Sequence, residues 1–462
     1  MTANALFTPN SDTMIKTTAG ASYISRLMDS YIGYSVQEGE VSTGSETKEK
    51  YEDKIAGAQL RADFDRDLRN GFLFSAGVEE IYRNWSETLE TNATTDDEAY
   101  MTYPRVYPDI NNSGLFTGLY SLLEYNDPAG RFAAEAGLRL DHLYFIGDGF
   151  TVQTLPVLNP RINFDYFPLR NCGGVDMVTL TAGSGLFSAI DDSIPYIDKS
   201  YGINDFDLKQ TRSSASVAGV KVDFLGNWVF NLELYYKYIF DRTYTISIAD
   251  GGNAVRRYRF DGEGHIWGFD LILRRIDGRF VDGWIAYSFN YARYHDPKSI
   301  SVYGRAMFRD RNDKWYFPDF HRFSNLNVAV NFKPSSRFNI YTRIGLASGV
   351  PQAEYGEKYS YTVKTADGDE ITKYRRPSYY SDTKRSAFSL PLDIKFSWFL
   401  VKPGRKSHGE AYLAVENALS LLYRPKSGTL LNPYTGEEEE AGMTPQFELP
   451  IPMVSFGFKW MF

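Results

Sequence analysis

The chain holds one cysteine, Cys172, so no intramolecular disulfide framework supports it. That cysteine sits in the turn Asn171-Cys172-Gly173-Gly174, where a bystander thiol is expected. No apolar run approaches the ~18 residues that a membrane helix needs, which excludes helical spans. Residues 1–16 show no basic segment followed by an apolar one, so no signal peptide is recognisable. With 50 Lys and Arg against 58 Asp and Glu, the net charge of −8 disfavours nucleic acid and leaves small ligands open. The usual marks of an active site are missing too. The histidines His142, His265, His295, His321 and His408 lie far apart with no HxxxH or HxH spacing, so no metal or haem is expected. There is no Gly-x-Ser-x-Gly elbow; Gly183-Ser184-Gly185 lies within an alternating stretch. Gly262-Glu263-Gly264 has no following helix to cradle a phosphate. We expect neither an enzyme nor a cofactor.

Aromatic residues are what the chain has in excess. With 34 Tyr and 32 Phe, the aromatic fraction reaches 16%, which fits the interfacial girdles of a membrane β-barrel. A negative mean hydropathy is compatible with that, because barrel strands alternate and loops and lumen are polar. The terminal stretch Pro450–Phe462 shows the pattern well. Val454, Phe456, Phe458, Trp460 and Phe462 alternate with Met453, Ser455, Gly457, Lys459 and Met461, so one face of a strand is bulky and apolar. A flat aromatic edge at a free terminus invites aggregation in water, whereas a closed barrel in lipid has a use for it.

The same alternation recurs along the chain in hairpins. Ala56–Asp67 turns at Arg69-Asn70-Gly71 into Phe72–Tyr82, and Leu115–Tyr125 turns at Asn126–Gly130 into Phe132–Tyr144. Further pairs follow up to Phe388–Leu400, where Phe388, Leu390, Leu392, Ile394, Phe396, Trp398 and Leu400 share one face. Such lengths fit the ~9–11 residues of a tilted membrane strand and exceed the ~5–6 of a soluble sandwich. Tight turns alternate with long polar loops, including Glu38–Tyr51, Asn84–Asn111, Asp296–Phe317, Val350–Arg385 and Leu421–Phe447. The expectation is an all-β fold: a transmembrane antiparallel up-and-down barrel of about sixteen strands, both chain ends on the short-turn rim. Residues 1–20 are expected to be irregular and 21–462 to form the barrel, with a first strand within Gly20–Gln37.

Two resemblances sharpen this. Ser455, Gly457, Trp460 and Phe462 occupy the positions of the C-terminal assembly signal of outer-membrane β-barrels, which the stretch from Ser455 to Phe462 resembles. Ala136-Gly137-Leu138-Arg139-Leu140-Asp141, Asn159-Pro160-Arg161, Trp267-Gly268-Phe269-Asp270-Leu271 and His321-Arg322-Phe323-Ser324-Asn325-Leu326-Asn327 resemble barrel phrases of TonB-dependent receptors. Ala347-Ser348-Gly349-Val350-Pro351, Leu390-Pro391-Leu392-Asp393 and Val415-Glu416-Asn417-Ala418 continue that family's order over Gly114–Phe462. The resemblance implies uptake of a scarce nutrient (siderophore, cobalamin, haem or glycan) across the outer membrane. It also implies outer-membrane lipid and the barrel assembly machinery as partners, and TonB as one only through a plug domain. No plug is recognisable in the chain. It resembles the C-terminal part of a barrel of about 22 strands, which makes a truncated, split or wrongly started reading frame the expectation. A passive diffusion porin and a loop-mediated adhesin or structural barrel are the alternatives.

The face opposite the apolar one is charged and of mixed sign, with Arg61, Asp63, Glu135, Arg139, Arg161, Lys237, Asp393 and Lys395 among its residues. That predicts a wet or plugged lumen. Aromatic residues on the long-loop side, Trp315, Tyr316, Phe317, Tyr379 and Tyr380, are candidate contacts for an unknown small-molecule substrate, since loops on rigid scaffolds carry binding. Membership of an interfacial girdle is the other reading of the same residues. The acidic run Glu437–Glu440 is either a cation site or a solvated loop.

Overall fold

The computed structural model describes residues 2–38, 41–95, 110–147, 149–191, 194, 208–250, 253–297, 314–352, 354–364, 370–376, 378–379, 381–400, 408–421, 429–431, 435–440 and 452–461. Alternating side chains and tight turns build one meander. Its strands are β1 (Thr2–Asn10), β2 (Thr13–Glu38), β3 (Val41–Arg69), β4 (Phe72–Thr95), β5 (Ile110–Asn126) and β6 (Phe132–Gly147). A short β7 (Phe150–Gln153) folds back on β6, and the meander resumes with β8 (Val157–Cys172), β9 (Val175–Ala189) and β10 (Thr211–Phe224). It continues through β11 (Trp228–Asp250), β12 (Asn253–Arg275), β13 (Val281–His295), β14 (Ser324–Ser335) and β15 (Phe338–Ala347). The strands β16 (Glu354–Tyr355), β17 (Tyr359–Lys364), β18 (Glu370–Arg375) and β19 (Ser378–Tyr379) pair among themselves in a loop. Then come β20 (Leu392–Phe399), β21 (His408–Glu416), the loop pair β22 (Thr429–Leu431) and β23 (Glu438–Glu440), and finally β24 (Met453–Met461).

The main sheet has 18 strands paired antiparallel in chain order, except that β8 pairs with β6 past the short β7. The two strands beyond the expected sixteen are β1 and β7. β1 corrects the irregular reading of residues 1–20: Thr2–Asn10 pairs with β2 from Phe7↔Ile15 to Thr2↔Gly20. Leu6 and Phe7 are both strongly exposed, so this strand carries no clean two-residue period by which to detect it. Its course also places Thr2 beside Gly20, partway up the wall, and not on the short-turn rim as expected. Among the described residues β1 and β24 form the two edges of the sheet, and no pairing joins them.

A second correction concerns residues 38–51. In place of a loop, residues 41–51 belong to β3, paired with β2 from Glu38↔Val41 through Tyr31↔Lys48. At roughly 3.3 Å per residue, the 26 and 29 residues of β2 and β3 far exceed a bilayer crossing, and the hairpin projects well past it. β4 likewise runs to Thr95, into the expected loop at 84–111. Phe388–Leu400 is shorter than read: only Leu392–Phe399 is continuous strand, preceded by the bridge Ala347↔Ser389.

Register carries the two-faced pattern from strand to strand. Phe332, Ile340, Phe396, Leu413 and Phe456 form one row across β14, β15, β20, β21 and β24. Val78, Leu119, Leu140 and Leu158 form another across β4, β5, β6 and β8. Most of these side chains are exposed, Phe456 at 84%, and so is Trp398 of β20, at 59%. Exposed apolar surface on this scale marks an interaction face, and lipid is the solvent that suits a two-sided antiparallel wall.

Candidate functional site

On the other face the same register collects the polar residues. Arg139 joins Asp141 at 2.7 Å and Glu79 at 3.3 Å, and Asn159 bonds Asp141 at 2.8 Å and Ser188 at 2.8 Å. Arg61 pairs with Asp63 at 2.8 Å, and Tyr120 donates to the same carboxylate. Towards the C-terminus Arg343 meets Asp393 at 2.6 Å, while Lys395 and Ser397 meet Glu410 at 2.9 and 2.7 Å. Partners lie two residues along the same strand or one or two strands away, so neighbours on one face satisfy them. Among the concavities of this face, two are the more spacious. One, of about 540 Å³, is lined by Arg275, Asp282, Asn331, Tyr341, Lys395 and Glu410; another, of about 480 Å³, by Arg161, Asn163, Gly185, Tyr235 and Lys237. Towards the long-loop end the same face turns apolar. There Trp85, Leu143, Phe145, Phe150, Ile194, Leu208 and Phe260 bury one another, drawing loop residues against the wall.

The segment holding Trp315, Tyr316 and Phe317 is built into this rim. Tyr316 bridges Tyr294 of β13 through two backbone hydrogen bonds of 2.8 Å, so its side chain shares the polar face with that of Tyr294 and its neighbours take the opposite one. Tyr316 is 1% exposed and donates its hydroxyl to Asp296 at 2.7 Å. Arg242 holds the other carboxylate oxygen at 2.5 Å and lies 4.5 Å from the centre of the Tyr294 ring. Trp315 packs between His265 and His295, 5.2 Å from each, and His295 bonds Glu263 at 3.1 Å. These join Tyr236, Tyr238, Trp267 and Tyr291 in an aromatic band on the apolar face.

Phe317 lies buried between two guanidinium groups, Arg293 at 4.4 Å and Arg385 at 4.8 Å. It also stacks on His321 at 4.7 Å. His321, in the connection before β14, is 1% exposed, meets Arg385 at 3.0 Å and Asn290 O at 3.2 Å. Burial, with the Arg385 charge beside it, pushes its pKa down to about 4, so its imidazole is neutral near pH 7. Tyr316 and Phe317 are therefore wall residues, enclosed by the rim. Tyr379 lies in β19 opposite Glu354; Tyr380 falls outside the described residues. The Arg242–Asp296–Tyr316 and Arg385–His321–Phe317 clusters were invisible in the sequence, because Arg242 stands 54 residues from Asp296 and Arg385 stands 64 from His321 with no spacing to betray them.

Ser455, Gly457 and Trp460 lie in β24 opposite Ala414, Tyr412 and Gly409; Phe462 falls outside the described residues. A Cβ at Gly457 would stand 2.6 Å from the Tyr412 hydroxyl, so the ring lies across the glycine. Glu438 of the acidic run is ion-paired with Arg376 at 2.5 Å, and its strand β23 pairs with β22. Cys172 is exposed in its turn.

No family model matches the chain, and no curated relative does. Solved structures do. The pyoverdine outer membrane receptor FpvA of Pseudomonas aeruginosa PAO1 covers 100% of this chain with 61% of its own, at 11% identity and a TM-score of 0.62. The ferric-catecholate import receptor Fiu of E. coli K12 covers 100% with 63% of its own, at 12% and 0.61. The ferric citrate transporter FecA covers 100% with 61%, at 13% and 0.58. The fold is that of a TonB-dependent receptor barrel. At these identities the likeness is one of fold. The chain spans 61% to 63% of the length of these three receptors, and 51% and 53% of two other FpvA structures.

Proposed function

We propose that the chain forms the wall of an outer-membrane receptor barrel that takes part, without enzymatic activity, in uptake of a scarce nutrient. One observation carries this reading: register sustains an apolar face and a mixed-charge face in step across the meander. A soluble sheet has no use for Phe456, Phe458 and Trp398 standing in water. The receptor-barrel fold supports the same conclusion. In this reading outer-membrane lipid covers the apolar face and the assembly machinery engages β24. TonB acts through a plug enclosed by the wall, and a siderophore or another scarce small molecule is the cargo.

Reconstitution of the purified chain in lipid vesicles tests it. Protease should spare the strands and cut only the connections. Complete digestion, or a monodisperse chain without detergent, refutes a membrane wall. Steady conductance in planar bilayers with no TonB requirement replaces the receptor reading with a passive porin.

A further inference from the structure

Register aligns Arg161 of β8, Gly185 of β9, Ala215 of β10 and Lys237 of β11 in one row on the polar face. Strands about 4.8 Å apart set the outer two Cα atoms roughly 14 Å from each other. Glycine and alanine put no large side chain of their own between them. The adjacent row, Asn163, Gly183, Val217 and Tyr235, repeats the plan with polar groups at the sides and small residues between. Together they bound the cavity of about 480 Å³, a size typical of small-molecule sites.

Its two cations are unmatched. Elsewhere on this face Lys221 pairs with Asp223 at 3.1 Å, Arg343 with Asp393 and Lys395 with Glu410. Among the described residues neither Arg161 nor Lys237 has an acidic side chain within ion-pairing distance. The carboxylate at the cavity edge, Glu135, accepts a hydrogen bond from Asn163 at 3.1 Å. The Arg161 guanidinium lies 4.4 Å over the Phe187 ring, a contact that occupies no N–H of its fork. Gly185 makes room for the arginine stem: a Cβ there would meet Arg161 Cγ at 2.9 Å and Pro160 O at 3.1 Å.

We propose that this cleft binds a small dianion, a dicarboxylate or a phosphate-bearing solute, anchored at its two ends by Arg161 and Lys237. Two cations facing each other across a glycine and an alanine fit a compact dianion better than the lone carboxylate of a docked polypeptide side chain. The proposal rests on reading the polar face as a solute-facing wall.

The test is calorimetric titration of the full chain, folded in detergent at low salt, with succinate and separately with inorganic phosphate. Wild type should bind at least one of them. Arg161→Gln and Lys237→Gln should each weaken that binding about tenfold, while Lys221→Gln leaves it unchanged. Should one variant fail to fold, the other reads the same cleft from the opposite side. No binding of either anion, or equal loss in the Lys221 control, overturns the site. So does binding of an acidic peptide alone. Vesicle insertion, measured in parallel, separates the two readings. A chain that binds succinate but does not insert keeps the site and loses the membrane wall; one that inserts and binds no anion does the reverse.

Discussion

Tyr316→Phe should loosen the rim segment without disturbing the wall beneath it. The hydroxyl donates to Asp296 at 2.7 Å, and that carboxylate is 3% exposed and also bound by Arg242 at 2.5 Å. A hydrogen bond to a charged group is worth about 1.5–3 kcal/mol. The phenyl ring keeps its edge contact with Tyr294, 6.1 Å between centroids, so packing losses are small. If proteolysis samples an opened segment in fast equilibrium, cleavage within residues 314–323 should rise about 10- to 150-fold. Asp296→Ala strands Arg242 beside Tyr294, and breaking a buried ion pair from one side costs about 3–5 kcal/mol; its segment should be cut faster still. A cycle with Arg242→Met separates the pairwise energy from the rest. Limited proteolysis in detergent with mass-spectrometric mapping reads the sites. Cleavage of Tyr316→Phe at the wild-type rate, or faster cutting spread over all connections, would refute the docking role of this triad.

Three further outcomes follow from the same geometry. His321 binds its proton at about pH 4 in the fold against 6.5 in the unfolded chain. The unfolded state therefore takes up the proton first, and stability falls as pH drops from 6.5 towards 4, by up to about 3 kcal/mol. Thermal unfolding in detergent at pH 7 and pH 5 should show it, and His321→Gln should flatten the difference; an unchanged slope removes His321 as its source. Phe456→Arg, at an 84% exposed position on the apolar face, should cost about 2–4 kcal/mol in lipid, whereas Ser455→Arg on the opposite face should cost far less. Heat-modifiable migration after refolding into vesicles compares them, and equal losses would invert the assignment of faces. Arg385→Met removes the cation between Phe317, Phe323 and His321. It should raise the His321 pKa, read from its imidazole resonances against pH; no movement means burial alone depresses it.

The two-residue period was the most legible feature of this sequence, because strand alternation is a local property of the chain. Every lumen-side residue taken from it, from Arg61 and Asp63 to Asp393 and Lys395, falls on one face in the register. Tight turns were equally plain, since Arg69, Asn70 and Gly71 all take the positive φ that short hairpins demand. Where charged and polar residues run on without alternation, the period fades. The charged stretch 38–51 therefore read as a loop although β2 and β3 zip through it. β1 was missed for want of a period, with Leu6 and Phe7 adjacent and both exposed.

Sequence by itself thus determined the alternating strands and their two faces, decided by neighbours a few residues apart. Only the tertiary structure decided which groups meet. Trp315 lies between two histidines that no spacing linked, and Tyr316 is enclosed by Arg242 and Asp296. Arg161 faces Lys237 across Gly185 and Ala215 because three separate strand registers bring them into one row. Each register is set by the pairing of two strands as wholes, and their sum is written in no single segment of the chain.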